Sequence, residues 1–567
     1  MQFRPVLAVA LLAMCSQPLM LRAEGIDSGA YLAARIAGAS DDYREAAHWF
    51  TRALIASPDD VWLMDGAISA QIGAGNMDAA IAVAQRVKAK GAKSQPAELA
   101  LIADQAKRGD FEALKASEPG GRTGALLLDG LVRAWAELGT GRMSEALEAF
   151  DAMATTEGLQ AFGLFHKALA LASVGDFEGA EKILSGEEGG TIQVMRRGTL
   201  AHAQILSQLE RNQDAIAVLD KAFPGESDIA IIALRARLDA GDSVPFDVTR
   251  NVTDGLAEVF FTLALALNGE ASDGFTLQYA RIATYLRPDH AEAILLAGAM
   301  LENQKQYDLA SEAYATVARE DGGFFAAEIG RARALQGAGK LEAALEVLKG
   351  QIRNSPGQIS VHIALGDMLR RDERWAEASA AYDAAVALIP EPAVAGYWSI
   401  YYSRAISLER QKLWEPAEAD FRKALALQPD QPQVLNYLGY SFLERGENFE
   451  EALSMIERAV AQRPDSGYII DSLAWGYFLA GRYEEAVDPM ERASVLEPVD
   501  PVVTDHLGDV YWAVGRKLEA NFQWRRALSF DPEEEHAIRI RHKLKIGLDG
   551  VLMEEGAKSL SDVANGN

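Results

Sequence analysis

The sequence predicts an all-α protein, a solenoid of about 13 or 14 repeated helix pairs. Three observations predict this fold class. Prolines recur at a nearly constant spacing, alanines keep a fixed register to those prolines, and short polar turns separate the apolar stretches. Each pair would bury its apolar face against its neighbours, so the interior would continue along the array.

The prolines mark the end of each predicted repeat. Their spacings are 34, 39, 35, 34 and 34 residues. Proline lacks a backbone N–H and restricts the residue before it, so it ends the second helix of a pair. The six prolines are Pro356, Pro390, Pro429, Pro464, Pro498 and Pro532.

Alanines occupy the positions where the two helices of a pair would cross. One stands five residues before each of the last four prolines, and another stands seven residues before that. Small side chains let two helices approach closely. These alanines are Ala417, Ala424, Ala452, Ala459, Ala486, Ala493, Ala520 and Ala527.

A leucine-glycine step completes the pattern at Leu438-Gly439 and Leu507-Gly508. Together these features resemble the tetratricopeptide repeat, a pair of antiparallel helices in about 34 residues. The resemblance implies a right-handed superhelical solenoid. It covers about residues 27–534, is strong from residue 291 onward and is degenerate between about 95 and 256.

The repeat pattern predicts the domain organisation. The segment 224–255 fits the repeat worst and is the predicted joint between two solenoid halves. A solenoid needs a polar cap over its last apolar face, and the segment that begins at Glu534 suits that role. The predicted parts are a signal peptide (1–23), a degenerate N-terminal solenoid (24–245), a C-terminal solenoid (246–534), a capping helix (535–547) and a disordered tail (548–567).

The first residues have the layout of an export signal. Arg4 precedes nine apolar residues, 6–14, and a short polar segment leads to Ala23. Nine apolar residues are too few to span a bilayer, so the segment predicts a cleaved signal peptide and a periplasmic protein. The alternative is an outer-membrane lipoprotein anchored at Cys15, since residues 12–15 resemble a lipobox in which Met14 departs from the motif.

The composition excludes several functional classes. Asp and Glu number 82 against 55 Lys and Arg, a net charge of −27, which argues against nucleic-acid binding. Cys15 is the single cysteine, so disulfides, cysteine-built zinc sites and iron–sulfur clusters are excluded. No segment has about 18 consecutive apolar residues, so no transmembrane span is predicted.

The sequence carries no catalytic motif that we can identify. It lacks the nucleophile elbow, the phosphate-binding loop, the HExxH pair and the dinucleotide fingerprint. We therefore expect neither an enzyme nor a cofactor or metal site. The rival hypothesis is a carbohydrate-active site in the degenerate middle, for which the available carboxylates are Glu137, Glu145, Asp151 and Glu157.

The resemblance also implies a binding surface, because the first helix of each such repeat lines the concave face. Aromatic rings beside amides and carboxylates suit an extended peptide. The groove lacks the basic side chains that would clamp a C-terminal carboxylate, so neutral or basic segments are the expected ligands. For Tyr440 and Trp475 the alternative role is packing between repeats. The predicted groove residues are Tyr402, Asn436, Tyr440, Tyr468, Asp471, Trp475, Asp505 and Asp509.

One basic cluster lies in the predicted cap: Arg539, Arg541, Lys543 and Lys545. We interpret it as a solvated cap face. Contact with anionic lipid or an acidic partner is the alternative.

The segment 436–509 resembles the C-terminal part of exported tetratricopeptide proteins of Gram-negative bacteria. Some of these are adaptors that bring a processing protease to cell-wall hydrolases. The resemblance implies a non-catalytic periplasmic scaffold for protein partners in cell-envelope maintenance. The alternative is an assembly factor for outer-membrane or secretion machinery.

Overall fold

The fold is seen in a computed structural model, which describes residues 27–115, 121–190, 195–223, 229–390, 393 and 395–564. Within these ranges the chain forms α-helices and no β-strand, and an isolated bridge joins Asn268 to Ala271. The all-α solenoid of repeated helix hairpins is therefore confirmed. The predicted signal peptide and Cys15 lie outside the described residues.

The chain folds into two compact units, one up to Val347 and one from Leu348. The helices of the first unit are α1 Ser28–Ala39, α2 Tyr43–Ala56, α3 Val61–Gly73, α4 Met77–Ala89, α5 Gln95–Arg108, α6 Phe111–Lys115, α7 Leu126–Gly139, α8 Met143–Ala154, α9 Gln160–Ser173, α10 Phe177–Leu184, α11 Arg196–Gln208, α12 Asn212–Ala222, α13 Ile229–Asp239, α14 Val252–Leu267, α15 Asp273–Leu286, α16 Ala291–Asn303, α17 Tyr307–Tyr314 and α18 Phe324–Gly337.

The unit boundary falls inside α19, Leu341–Asn354. A 3₁₀ turn, Ala395–Tyr397, precedes α22. The helices of the second unit are α20 Ile359–Arg371, α21 Trp375–Val386, α22 Trp398–Arg410, α23 Trp414–Leu427, α24 Pro432–Arg445, α25 Phe449–Gln462, α26 Gly467–Leu479, α27 Tyr483–Leu496, α28 Pro501–Ala513, α29 Lys517–Leu528, α30 Glu534–Glu554 and α31 Leu560–Ala564.

Local sequence explains where these helices begin and end. The Asp42 carboxylate accepts a hydrogen bond from the backbone N–H of Glu45 at 3.2 Å and caps α2. Proline opens α24 at Pro432, where no intrahelical N–H bond is lost. The same helix ends at Gly446, whose φ of 69° is the left-handed conformation that glycine adopts without strain. The repeat prolines Pro429 and Pro464 follow the ends of α23 and α25, as predicted.

Glycine in the first helix admits an aromatic ring from the second helix. A Cβ atom on Gly508 would lie 2.4 Å from the ring of Trp524, which is fully buried. This contact explains the leucine-glycine step of the sequence, because any larger residue would separate the two helices. The same pairing recurs at Gly298 with Tyr314 and Gly366 with Tyr382, whereas Gly66 of α3 admits the Phe50 ring from α2 of the preceding hairpin.

The first unit is closed by contacts between residues far apart in sequence. Helix α14 packs on α7 and α9, and α15 packs on α3 and α5. Arg281 donates from Nε to the Gly73 carbonyl at 3.2 Å, and Lys107 donates from Nζ to the Tyr285 carbonyl at 2.9 Å. The predicted joint at 224–255 lies within this unit, and the predicted boundary at residues 245 and 246 stays a prediction.

The second unit is a simpler array, in which contacts join neighbouring hairpins. The first helices α24, α26 and α28 contact one another in order, whereas the second helices of successive hairpins approach each other less closely. The first helices therefore form the inner surface of this unit, where the predicted groove residues lie.

The cap extends beyond its predicted bounds. Helix α30 continues to Glu554, with a sharp break at Gly547 (φ 77°), where a Cβ atom would lie 2.4 Å from the Trp512 ring. The tail predicted to be disordered from residue 548 is helical in α31, and the Tyr483 hydroxyl donates to the Leu560 carbonyl at 2.9 Å. That prediction is corrected for residues 548–564, because the tail finds a partner on α27.

Of the helices in the described ranges, none combines the length and the apolar character that a membrane crossing requires.

Candidate protein-binding groove

The predicted groove residues lie on four successive first helices. Tyr402 lies on α22, Asn436 and Tyr440 on α24, and Asp505 and Asp509 on α28. Helix α26 carries the remaining three residues, which are Tyr468, Asp471 and Trp475. Residues four apart share one helix face, so each pair points to the same side.

Tyr402 belongs to an aromatic cluster rather than to an open surface. Its ring centroid lies 5.9 Å from that of Trp398 and 6.0 Å from those of Phe421 and Tyr437. Burial raises the pKa of the Tyr402 phenol. The ring therefore packs between hairpins, and its role at this end of the groove is structural.

The centre of the groove holds an amide without a partner. Asn436 is half-buried, and its Oδ1 atom has no hydrogen-bond partner. Tyr440 lies one turn further along α24 and is also half-buried. Burial, together with the nearby carboxylates of Glu444 and Asp471 and a hydrogen bond from its hydroxyl to Glu444, raises the pKa of the Tyr440 phenol, which therefore remains neutral. The unsatisfied acceptor of Asn436 suits a backbone N–H of an extended peptide.

Trp475 forms the middle of a three-ring stack. Phe478 stacks on one side, with ring centroids 4.7 Å apart and planes 9° apart. The His506 ring also stacks on Trp475, at 3.9 Å and 11°. These contacts favour the packing interpretation of Trp475 over the binding one.

His506 was not among the predicted groove residues, although it connects two that were. Its Nδ1 atom lies 3.0 Å from Oδ1 of Asp471. Burial disfavours the charged imidazolium, yet the Asp471 carboxylate raises the pKa of His506 above its ordinary value. Its position next to Asp505 in the sequence did not reveal this contact, because Asp471 belongs to the preceding hairpin.

The acidic end of the groove is occupied by the cap. Lys543 of α30 is buried, and its Nζ atom donates to Oδ2 of Asp505 and to both oxygens of Asp509 at 2.7 Å. Trp524 donates from Nε1 to Asp509 at 2.9 Å. Asp509 is therefore an interior ion-pair partner, not a groove surface residue. The interpretation of Lys543 as part of a solvated cap face is likewise corrected, because the buried Asp509 and the half-buried Asp505 require a cation there.

Tyr468 is the most accessible of the predicted residues, with 57% of its surface exposed at the start of α26. It lies near the carboxylates of Glu497 and Asp500, which raise the pKa of its phenol together with desolvation. Tyr468 is thus available to a ligand at the rim.

Two further carboxylates lie near this site, and Nε of Arg410 is 3.7 Å from Oε2 of one of them, Glu409. The Glu409 carboxylate accepts a hydrogen bond from the Tyr437 hydroxyl at 3.1 Å. Desolvation of the Glu444 carboxyl, together with the nearby charge of Glu409, raises its pKa, although it accepts a hydrogen bond from Tyr440. Neither carboxylate was among the predicted groove residues.

Two of the four carboxylates considered for the enzyme hypothesis form ion pairs. Glu137 pairs with Arg142 at 2.8 Å, and Asp151 pairs with Lys167 at 2.9 Å. Among the described residues, no group of three His, Cys, Asp or Glu side chains is arranged to hold a metal ion.

Comparison with known proteins identifies the repeats. A family model for the tetratricopeptide repeat matches residues 329–391, 402–467 and 438–501. These segments are tetratricopeptide repeats, which confirms the resemblance over this part of the chain. A tetratricopeptide repeat-containing protein of Pseudomonas aeruginosa is 25% identical over 186 residues, which is 33% of this chain. The matched segment spans 30% of the length of that curated relative.

Solved structures of other repeat proteins are also similar. The Cut9–Hcn1 hetero-tetramer of the APC/C aligns over 92% of this chain and 96% of its own, with 13% identity and a TM-score of 0.39. Yeast Tom70 aligns over 94% and 99%, with 15% identity and a TM-score of 0.35. A tetratricopeptide repeat protein from Parabacteroides merdae aligns over 45% and 97%, with 17% identity and a TM-score of 0.36.

Proposed function

We propose that the protein is a non-catalytic scaffold that binds protein partners through the groove of its second unit. Tetratricopeptide repeats in general mediate protein–protein interaction. The observation that carries the proposal is the half-buried Asn436, whose Oδ1 lacks a partner beside the neutral phenol of Tyr440. A bound backbone N–H would satisfy this acceptor.

The charge of the groove selects the ligand. Glu409 pairs with Arg410 at 3.7 Å and the buried Asp471 pairs with His506, so Glu444 supplies the remaining negative charge, and an extended segment with neutral or basic side chains is the expected partner. Acidic C-terminal peptides would meet like charge. Several grooves along the second unit would hold two partners close together and raise their effective concentration.

Peptide binding tests the groove directly. We expect Asn436→Ala combined with Tyr440→Ala to weaken binding of basic extended peptides at least about tenfold, because a hydrogen bond and a ring contact are both lost. The matched control is Asn521→Ala with Phe522→Ala on α29, where Phe522 is 70% exposed on a second helix. Fluorescence anisotropy with a labelled peptide library measures both.

The groove assignment fails if both double variants bind alike. Its proposed charge preference fails if an acidic C-terminal peptide binds and the complex survives high salt, since screening weakens surface ion pairs. Glu409→Gln with Glu444→Gln should reduce the salt dependence of binding to basic peptides.

The cellular role is a second part of the proposal. The apolar segment before Ala23 supports export to the periplasm, and the resemblance of 436–509 supports a role in cell-envelope maintenance or protease recruitment. Fractionation of cells with N-terminal sequencing should find a periplasmic chain that begins at Glu24. Release of a membrane-bound form by Cys15→Ser would instead support the lipoprotein alternative.

An assembly factor for outer-membrane or secretion machinery remains the second candidate. A photo-crosslinking residue at Tyr440 in intact cells separates the two roles by the partners that it captures. Cell-wall enzymes or a protease would support the first, and outer-membrane or secretion components the second.

A further inference from the structure

A cavity of about 110 Å³ opens in the first unit between α9, α11 and α14. Its walls are mainly apolar and include Phe162, Phe165, Phe261 and Leu265. An apolar cavity of about 150 Å³ accommodates benzene. This cavity is somewhat smaller but opens at the exposed Met195, so it suits a single ring that remains partly at the surface.

Glu258 brings an unsatisfied acceptor to this apolar wall. The residue lines the cavity and is fully buried. Its Oε1 accepts from Nε of Arg197 at 2.7 Å and lies 3.2 Å from Nε2 of His290, but its Oε2 has no hydrogen-bond partner. Burial would raise the pKa of Glu258, yet Arg197 and His290 hold it below its ordinary value. The carboxylate is therefore ionised and is a strong acceptor.

The charges around Glu258 already balance. Arg197 also pairs with Glu292 at 3.3 Å, and Nη1 of Arg287 lies 3.8 Å from Oε1 of Glu258. Arg196 pairs with Glu292 as well, and Arg287 pairs with Asp289 at 3.4 Å, so three arginines accompany three carboxylates and a cationic ligand would add an unbalanced charge. A neutral donor would satisfy Oε2 without changing this balance.

We propose that this cavity binds a neutral, ring-sized apolar group with one O–H or N–H donor, of which a phenol is the simplest example. The ring packs among the phenylalanines, and the donor bonds to Oε2 of Glu258. The group belongs either to a free phenolic compound or to a tyrosine side chain of a polypeptide. This site is separate from the groove of the second unit and goes beyond the proposed scaffold function.

Matched ligands test the donor. Isothermal titration and ligand-observed NMR on the full chain should show that p-cresol binds at least about tenfold more tightly than toluene, which has the same ring without the hydroxyl. N-acetyl-tyrosinamide against N-acetyl-phenylalaninamide tests the polypeptide source. If p-cresol binds more tightly than toluene but the two amides bind alike, the ligand is a free phenol. If N-acetyl-tyrosinamide also binds more tightly than N-acetyl-phenylalaninamide, the ligand is a tyrosine side chain. Equal binding within both pairs, or no binding, overturns the proposal.

A matched pair of variants tests the location. Ala161 lines the cavity and is exposed, so Ala161→Trp should fill the mouth and abolish p-cresol binding. The control is Ala152→Trp, also exposed but on α8, which should bind p-cresol like the unaltered chain. Retained binding in Ala161→Trp would overturn the assignment to this cavity.

The ligand class has its own test on the unaltered chain. Benzylammonium, a cation of similar size, should bind no more tightly than toluene. Tighter binding of benzylammonium than of p-cresol would overturn the neutral-donor assignment. This comparison holds even if Ala161→Trp fails to fold.

Discussion

Single glycines determine how closely the helices of a hairpin pack. Gly508 lets the Trp524 ring approach the α28 backbone, and that ring is fully buried. Gly350 also lies within a helix, but its nearest neighbour to an added Cβ is 3.7 Å away on a flexible arginine. Both glycines have a helical backbone, but an added methyl group has room beside Gly350 and none beside Gly508.

This contrast predicts opposite effects of the same substitution. Gly508→Ala should lower the free energy of unfolding by about 1–3 kcal/mol, because the methyl group displaces the Trp524 ring. Gly350→Ala should raise it by up to about 1 kcal/mol through helix propensity. Thermal denaturation followed by circular dichroism measures both. Equal shifts of the melting temperature would contradict the packing argument.

A buried histidine in the first unit predicts acid sensitivity. His166 is fully buried, accepts from Nε1 of Trp135 at 3.3 Å, and has a pKa lowered by burial from 6.5 to about 4. The unfolded chain takes up this proton near pH 6.5 and the folded chain only near pH 4. Stability should therefore fall as pH decreases through this window, by at most about 3 kcal/mol.

His166→Gln should reduce the loss of stability between pH 6.5 and 4, because glutamine does not titrate. The exposed His48→Gln is the matched control and should leave that loss unchanged. Urea denaturation at several pH values provides the free energies. The same loss in both variants would show that other groups govern the acid response.

At the scale of the element, the capping helix α30 is held by a buried ion pair as well as by apolar contact. Lys543 is 1% exposed and bonds to Asp505 and Asp509, whereas Lys545 is exposed on the same helix. A buried pair contributes little when intact but costs much when one partner is removed. Substitution of Lys543 should therefore destabilise the cap, whereas substitution of Lys545 should have little effect on its stability.

Lys543→Met should destabilise the cap by about 3–5 kcal/mol, because Asp505 and Asp509 lose their shared ammonium and only Arg539, 3.8 Å from Asp509, remains nearby. Hydrogen exchange should then become faster in α28, α29 and α30. Lys545→Met should change stability by less than about 0.5 kcal/mol, as expected for a surface residue. Unchanged exchange in Lys543→Met would contradict the role of the ion pair.

At the scale of the whole molecule, the two units differ in how their contacts are connected. In the first unit, α15 packs on α3 and α5, which lie far away in the sequence. In the second unit, each hairpin contacts its neighbours, as in a one-dimensional repeat array. The loss of a buried side chain should therefore destabilise helices that are distant in sequence in the first unit, but only the adjacent hairpins in the second unit.

Leu277→Ala in α15 and Leu438→Ala in α24 test this difference, since both leucines are fully buried. Each should cost about 2–5 kcal/mol. Hydrogen exchange should become faster in α3 and α5 for Leu277→Ala, but only in α23 to α26 for Leu438→Ala. A purely local response to Leu277→Ala would contradict the closed connectivity of the first unit.

The candidate groove was predictable in position but only partly in role. Repeat register predicted that Asn436, Tyr440 and Trp475 lie on first helices, and they do. Register says nothing of neighbours from other elements, so the stacking of His506 on Trp475 and the burial of Asp509 under Lys543 were not predicted. Both contacts join residues more than thirty positions apart.

The sequence was sufficient for the helix hairpins, because prolines, glycines and alanines act within one repeat and their effects are local. It was also sufficient for the acidic character of the chain. The tertiary structure decided which polar side chains remain available, since Asp509 meets its cation on the cap and Glu258 meets Arg197 on α11. Such pairings depend on how the helices pack, because packing brings together residues that are far apart in the sequence and share no local pattern.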